Sequence, residues 1–237
     1  MEKLIYVAWR PADSDPAELE RSLLDDVAPS LLALAPAGLR INVEEPAGKI
    51  MRVGAQPDGS LLSATVSVWL NSIDERGPVE AALAAVPGTV HGWLVTESVP
   101  RAYGKNRTWP DGERSPGLSI VTVFDKKAGL ADDDFFRIWH DEHTPMSFEI
   151  HPIWLYVRNA AARPVTTGAP AIRSIVYESV PTVEDLLDVG RFFGSGGSKQ
   201  KLAENIGRVS AHLETFADTA GLQTTPMAEY ILRTFST

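Results

Sequence analysis

The sequence predicts an α+β fold made of two βαββαβ units in one chain. Three observations predict it: apolar and proline positions that repeat at a constant offset of 116, a strand-like run opening each half, and an aperiodic connector between them. A repeat is sought first because missing one misassigns the whole architecture. Leu4-Ile5-Tyr6-Val7-Ala8-Trp9 and Ser119-Ile120-Val121-Thr122-Val123-Phe124 are rich in β-branched and aromatic residues, precede acidic segments, and read as first strands. At the offset of 116, Leu19 falls on Phe135, Leu23 on Trp139, Pro29 on Pro145, Leu34 on Ile150, Pro36 on Pro152, Leu39 on Leu155 and Ile41 on Val157. Those pairs predict a first helix and a second strand in each half.

The offset falls to 110 at the next helix, where Ser72 with Glu75 matches Thr182 with Asp185. Each pair is an N-cap with an acidic third residue facing the helix dipole. The last strands centre on Trp93 and on Tyr230, at an offset of 137. The extra length of the second half falls between residues 190 and 225. It holds the glycine-rich stretch Gly194-Ser195-Gly196-Gly197-Ser198, which reads as a mobile loop or lid because it lacks the spacing of a phosphate-binding loop. An added helix follows, with Leu202, Ile206, Val209, Leu213 and Phe216 on one face. Residues 1–105 and 117–237 are then the two units. Residues 106–116, rich in Pro, Gly and charge, are the linker, with Trp109 placed to pin it to one unit.

The order βαββαβ is that of the split-βαβ, ferredoxin-like unit, an antiparallel sheet with helices on one face. The bare faces of two such sheets cover each other when the units pack sheet to sheet as an intramolecular α+β barrel, a pseudo-dimer in one chain that leaves a homodimer open. Alternation puts Leu39, Ile41 and Val43, and likewise Leu155 and Val157, under the helices. Arg40, Asn42 and Glu44, with Trp154, Tyr156 and Arg158, fall on the face toward the other sheet. There they need partners or a ligand.

Composition narrows the function. With 22 Lys and Arg against 31 Asp and Glu, the net charge of −9 argues against a nucleic-acid binder. The absence of cysteine removes disulfides, thiolate catalysis and thiolate-held metals. No apolar run reaches the roughly 20 residues of a membrane span, and Met1-Glu2-Lys3-Leu4 does not begin a signal peptide, so a soluble cytoplasmic protein is expected.

The densest chemistry lies at the end of the second half's first helix, in Phe135-Phe136-Arg137-Ile138-Trp139-His140-Asp141-Glu142-His143-Thr144-Pro145-Met146. Helical spacing puts Phe136, His140 and His143 on one face, beside Trp139. Thr144-Pro145 predicts a helix break that leaves His143 at a helix end beside a cavity, where an imidazole serves as acid or base. The same offset of 116 places Leu24 against His140, Val27 against His143 and Ala35 against His151. The first half therefore has no imidazole at any of these places, and a site confined to the second half is expected. His-x-x-His with Asp141 and Glu142 is a weak metal pattern, because adjacent carboxylates point apart, and no metal is expected. His212 falls off its helix's apolar stripe and is expected to be solvated.

The pattern Phe-x-x-x-Trp-His-x-x-His-x-Pro from Phe135, followed by His151-Pro152 and Leu155-Tyr156-Val157-Arg158-Asn159, resembles the EthD family of the dimeric α+β barrel superfamily. The likeness covers residues 118 to 235, with the first half a degenerate copy. It implies a barrel with a pocket between sheet and helices, His143 as the family's histidine, and relatives that are polyketide cyclases or dehydratases, monooxygenase-like proteins or proteins of no assigned activity. The functional expectation is a cofactor-independent enzyme of cyclase, dehydratase or isomerase type on an apolar aromatic or polyketide-like carbonyl compound. In it, His143 and His140 handle protons, Tyr156 or Arg158 stabilises the oxyanion, and Phe136, Trp139, Met146 and Trp154 hold the substrate. The alternative is a non-catalytic ligand-binding or structural barrel. Haem or iron chemistry has only the histidines in its favour.

Overall fold

The computed structural model describes residues 1–46 and 51–235. Its eight strands are β1 (Glu2–Arg10), β2 (Gly38–Glu44), β3 (Leu61–Leu70), β4 (Thr89–Arg101), β5 (Leu118–Phe124), β6 (Leu155–Pro164), β7 (Ser174–Val180) and β8 (Gln223–Arg233). They form one closed antiparallel barrel in the order β1-β3-β2-β8-β5-β7-β6-β4. The first four strands therefore lie β4-β1-β3-β2 and the last four β8-β5-β7-β6, the same order twice. These two runs face each other across the interior. They are also hydrogen-bonded at both edges, β2 to β8 and β4 to β6, which leaves no free strand edge.

Helices cover the outside. The first half carries α1 (Pro16–Arg21), a π-helical turn π1 (Ser22–Val27), α2 (Ala28–Ala33) and α3 (Gly77–Leu83). The second carries α4 (Asp132–Arg137), the π turn π2 (Ile138–His143), α5 (Thr144–Ile150), α6 (Val183–Leu187), α7 (Val189–Phe192) and α8 (Lys199–Phe216). The expected caps form. Ser72 accepts from the Asp74 amide, and Thr182 with Asp185 makes a reciprocal capping box. The linker is not free either: the Gly112 and Ser115 amides donate to β8 carbonyls, and Trp109 is buried against Trp154.

The expected helix break at Thr144-Pro145 is absent. Both π turns occupy the same place at an offset of 116, each just ahead of a proline (Pro29 or Pro145), and in each the helix runs on. A proline lacks the amide that the preceding turn requires. A widened turn absorbs that loss without ending the helix. The widened turn keeps its own backbone bond in each half, Ala28 N–H to the Leu23 carbonyl and Thr144 N–H to the Trp139 carbonyl, and in the second half the Thr144 hydroxyl adds a second donor to the Trp139 carbonyl at 3.0 Å.

One face assignment is reversed. Leu39, Ile41 and Val43 lie under the helices as expected, with Leu19, Leu23, Val27 and Leu31. Leu155 and Val157 instead face the barrel interior with Val7, Trp9, Trp93 and Tyr177, while Tyr156 points to the helices beside Trp139. The connections into the two strands differ: the first passes through Ala35 at φ 53, and the second runs extended at His151. Strand β6 is thereby entered one residue out of phase with β2, and a side-chain period of two turns that slip into a change of face.

The barrel interior mixes aromatic rings with paired charges. Glu44 takes Arg10 at 2.9 Å and also pairs with Arg52, Arg40 lies 3.4 Å from Glu229, and Lys3 donates to Glu97 and Asn159, each at 2.7 Å. Facing partners thus meet the polar residues of β2, as their position required. Among the described residues not every polar atom is bonded: both polar atoms of the buried Asn42 amide lack a hydrogen bond, and Arg40 meets Glu229 as a charge pair with its Nε and Nη1 and the Glu229 Oε1 unbonded.

Candidate active site

A cavity of about 400 Å³ lies between the second half's sheet and its helices. Its floor is Ile120, Thr122 and Phe124 of β5, Tyr156 of β6, Val176 and Glu178 of β7, and Thr224 of β8. Its walls are Trp139, His143 and Ser147 on one side and Phe192 and Phe193 on the other, with Val209, Leu213 and Phe216 of α8 as the roof. Three aromatic residues of this region, Phe124, Trp139 and Phe216, pack edge to face with centroids 5.8 Å apart around Phe124. The site is a deep apolar volume with few polar groups, the usual build of a small-molecule pocket.

Of the polar groups, the sequence reading missed the most informative. Glu178 is the cross-strand neighbour of Tyr156 on one side and of Ile120 on the other. Its carboxyl lines the cavity and, among the described residues, has no hydrogen bond and no cation beside it, and burial pushes its pKa up to about 7. The Tyr156 phenol is pushed above its usual range by burial and by the adjacent Glu178 charge, so it stays a protonated donor. His143 ends π2, is 7% exposed, and is held well below the usual imidazole range, at about 3, first by burial and then by His212 and His151. Its Nδ1 lies 3.3 Å from Nδ1 of His212 on α8, which in turn puts Nε2 3.5 Å from the Glu142 carboxylate. His212 is therefore not simply solvated. His151 stacks on Phe192 at 4.2 Å, with Nδ1 3.0 Å from the Phe192 carbonyl.

Of the residues singled out from sequence, His143, Trp139, Tyr156 and His151 line the cavity, while His140, Arg158, Phe136, Met146 and Trp154 do not. His140 lies between the rings of Phe136 and Trp139, with centroids at 5.4 and 4.7 Å, and burial and Arg158 depress it to about 4. Arg158 faces the helices but points away from the cavity. It donates to Ser98 Oγ at 3.1 Å, to Thr144 Oγ1 at 3.3 Å and to the His140 carbonyl at 3.4 Å. Phe136 packs on Phe135 under Arg173, Met146 is buried away from the cavity, and Trp154 belongs to the cluster of Tyr103 and Trp109. Among the described residues no three His, Asp or Glu side chains converge as metal ligands.

The first half offers a comparison by position. Val68 pairs with Leu4 and Leu39 as Glu178 pairs with Ile120 and Tyr156, and Val27 ends π1 as His143 ends π2. Three of the polar groups of the cavity, His143, Tyr156 and Glu178, thus correspond in position to Val27, Leu39 and Val68, all buried in an aliphatic core. A fold requirement would fall on both halves alike. These three groups therefore belong to the cavity and not to the architecture.

No protein-family model matches the chain, and no curated protein matches it. Among solved structures it is similar to an anthrone oxidase-like protein, with a TM-score of 0.55 at 8% identity over 98% of this chain and 93% of that one. It is also similar to a candidate monooxygenase from Fusobacterium nucleatum subsp. nucleatum ATCC 25586, with a TM-score of 0.51 at 11% identity over 98% and 93% of the two chains. Likeness at such identity shows the fold alone, a closed eight-stranded antiparallel barrel with helices outside it. Among the described residues no helix is long and apolar enough to cross a membrane.

Proposed function

We propose that the chain is an acid–base enzyme acting, without need of a cofactor, on an apolar aromatic carbonyl compound with an acidic C–H bond, of the cyclase, dehydratase or isomerase type. The observation that carries this reading is the Glu178 carboxyl, without a partner among the described residues in a cavity of mostly apolar walls, its pKa raised by burial to about 7. A base works best with a pKa near the working pH, and this condition moves the first proton transfer from His143 to Glu178. The substrate C–H proton passes to the Glu178 carboxylate and the electron pair moves onto the carbonyl oxygen. Tyr156, on the adjacent strand, donates its O–H to that enolate oxygen. The neutral His143 borders the same volume and exchanges protons with the intermediate. A carrier needs the cavity but has no use for a base and a donor side by side, and it would not replace three aliphatic positions with polar ones.

The same proposal holds the chain to be a tandem duplication of ferredoxin-like units, 1–105 and 117–237 joined by 106–116, with an EthD-like second half and a degenerate first. It acts in the cytoplasm as a pseudo-dimer. The anthrone oxidase-like structural neighbour supplies a probe of the right class, since anthrone is a polycyclic ketone with an acidic methylene. The test is deuterium uptake at that methylene in heavy water. The protein is expected to accelerate exchange, and Glu178→Gln to lose about 10²–10⁴-fold of the acceleration. Exchange at the full rate in the variant overturns the assignment of the base.

A further inference from the structure

The pair His143 and His212 has a consequence beyond the cavity itself. Two ring nitrogens 3.3 Å apart share a single hydrogen, so one Nδ1 donates and the other accepts. Which does so is set from outside. His212 Nε2 lies 3.5 Å from the Glu142 carboxylate, a charge contact and not a hydrogen bond, and the negative charge there favours the hydrogen on His212 Nε2. A neutral His212 then has a bare Nδ1, and His143 must carry its hydrogen on Nδ1 and leave a lone pair on Nε2. A protonated His212 donates from both nitrogens. His143 then carries its hydrogen on Nε2 instead. No protein group is hydrogen-bonded to His143 Nε2, and the ring borders the cavity. Glu142 is at the surface, 46% exposed, and is bonded to Arg137, while His212 is 22% exposed.

We propose that His143, His212 and Glu142 form a proton relay through the cavity wall, in which His212 decides whether His143 presents an acceptor or a donor to the ligand. The step balances without charging His143. A proton from the cavity lands on His143 Nε2 as the His143 Nδ1 hydrogen passes to His212 Nδ1, which becomes an imidazolium against Glu142. Reversal returns the proton to a different ligand atom, and the exposed edge of His212 exchanges it with water. The strongly depressed basicity of His143 agrees with a ring that transmits a proton and does not store it. The charges around the pair are few. They are Glu142 with Arg137 on the α4–π2 side, His151 beyond the end of α5, Glu178 of β7 and Glu214 of α8 along the cavity that His143 borders, and the Arg208–Glu149 pair that ties α8 to α5 at 2.7 and 2.9 Å. The position of His143 in the first half is Val27, so no relay exists there.

The inference deepens the proposed function and borrows from it only that protons move in this cavity. Nitrogen-15 spectra of histidine-labelled full-length protein, with no ligand, test it directly. Lowering the pH is expected to move His143 from the Nδ1–H to the Nε2–H form with the same midpoint at which His212 gains its proton. His212→Phe should abolish the change of tautomer, and Glu142→Gln should keep it but move the midpoint to lower pH. Both changed residues are partly exposed, so the fold does not rest on them. A His143 tautomer that stays constant with pH, or that still switches in His212→Phe, overturns the relay. Because this readout needs no substrate, the relay and the Glu178 assignment fail separately: the spectra judge one and deuterium exchange the other.

Discussion

At the scale of the residue, the site was half legible. His143 and Trp139 stand in a dense histidine and aromatic segment on a helix, where spacing alone puts them on one face, and their place in the cavity follows. Tyr156 reached the cavity despite a reversed face, because the slip at His151 inverts β6 and no spacing rule shows it. Glu178 was not legible. In Ser174–Val180 a single acid reads as an ordinary outward residue of an alternating strand, and only the pairing with Tyr156 and the helices above reveal that outward means into a cavity, where Glu178 is half-buried. Its raised pKa has a consequence for stability. A carboxyl whose folded-state pKa is raised to about 7 from an ordinary 4.5 destabilises the fold only where it is ionised. Its stability is intact below pH 4.5 and declines as the pH rises through 7. Glu178→Gln is therefore expected to raise the melting temperature at pH 8 by several degrees and to leave it nearly unchanged at pH 4.5. Roughly 2–4 °C corresponds to each kcal/mol in a domain of this size. Equal shifts at both pH values in calorimetry would show that the carboxyl is not held in an apolar site.

At the scale of the element, the π turns are the feature that pattern reading mistook. Thr144-Pro145 has the composition of a cap and a first helical residue, and local rules favour a break. Packing decides otherwise: Phe135, Trp139 and His143 must all reach the sheet or cavity, and a widened turn carries the helix past the proline while keeping them there. In the second half the Thr144 hydroxyl adds a second bond to the Trp139 carbonyl, beside that of its own amide. Thr144→Val keeps the shape and removes the hydroxyl. It withdraws that second bond and one of the acceptors of Arg158, so a loss of about 0.5–1.5 kcal/mol is expected in denaturant unfolding. The first half has Ala28 at this place and manages without, so an unchanged midpoint in the variant would mean that the turn is held by packing alone.

At the scale of the whole molecule, a strand order that occurs twice was visible in the offset of 116, but the way its two runs join was not. Alternation shows that a sheet has a face to bury and says nothing about which edges pair. The joining strands are the long ones. β4 has 13 residues and bonds to β1 and β6, and β8 has 11 and bonds to β2 and β5, so each bridges the two halves. Residues 117–237 expressed alone would therefore expose three things at once. These are the free edges of β6 and β8, the interior rings of Tyr177 and Trp154, and Glu229 without Arg40. Open edges and a bare apolar face drive strand pairing with another copy. The isolated second half is expected to elute as a dimer that rebuilds the eight-stranded barrel, or to aggregate. The full chain has no such edges to offer. A folded, monomeric second half in sedimentation equilibrium would mean that its sheet needs no partner, and that the closed barrel does not stabilise the site it carries.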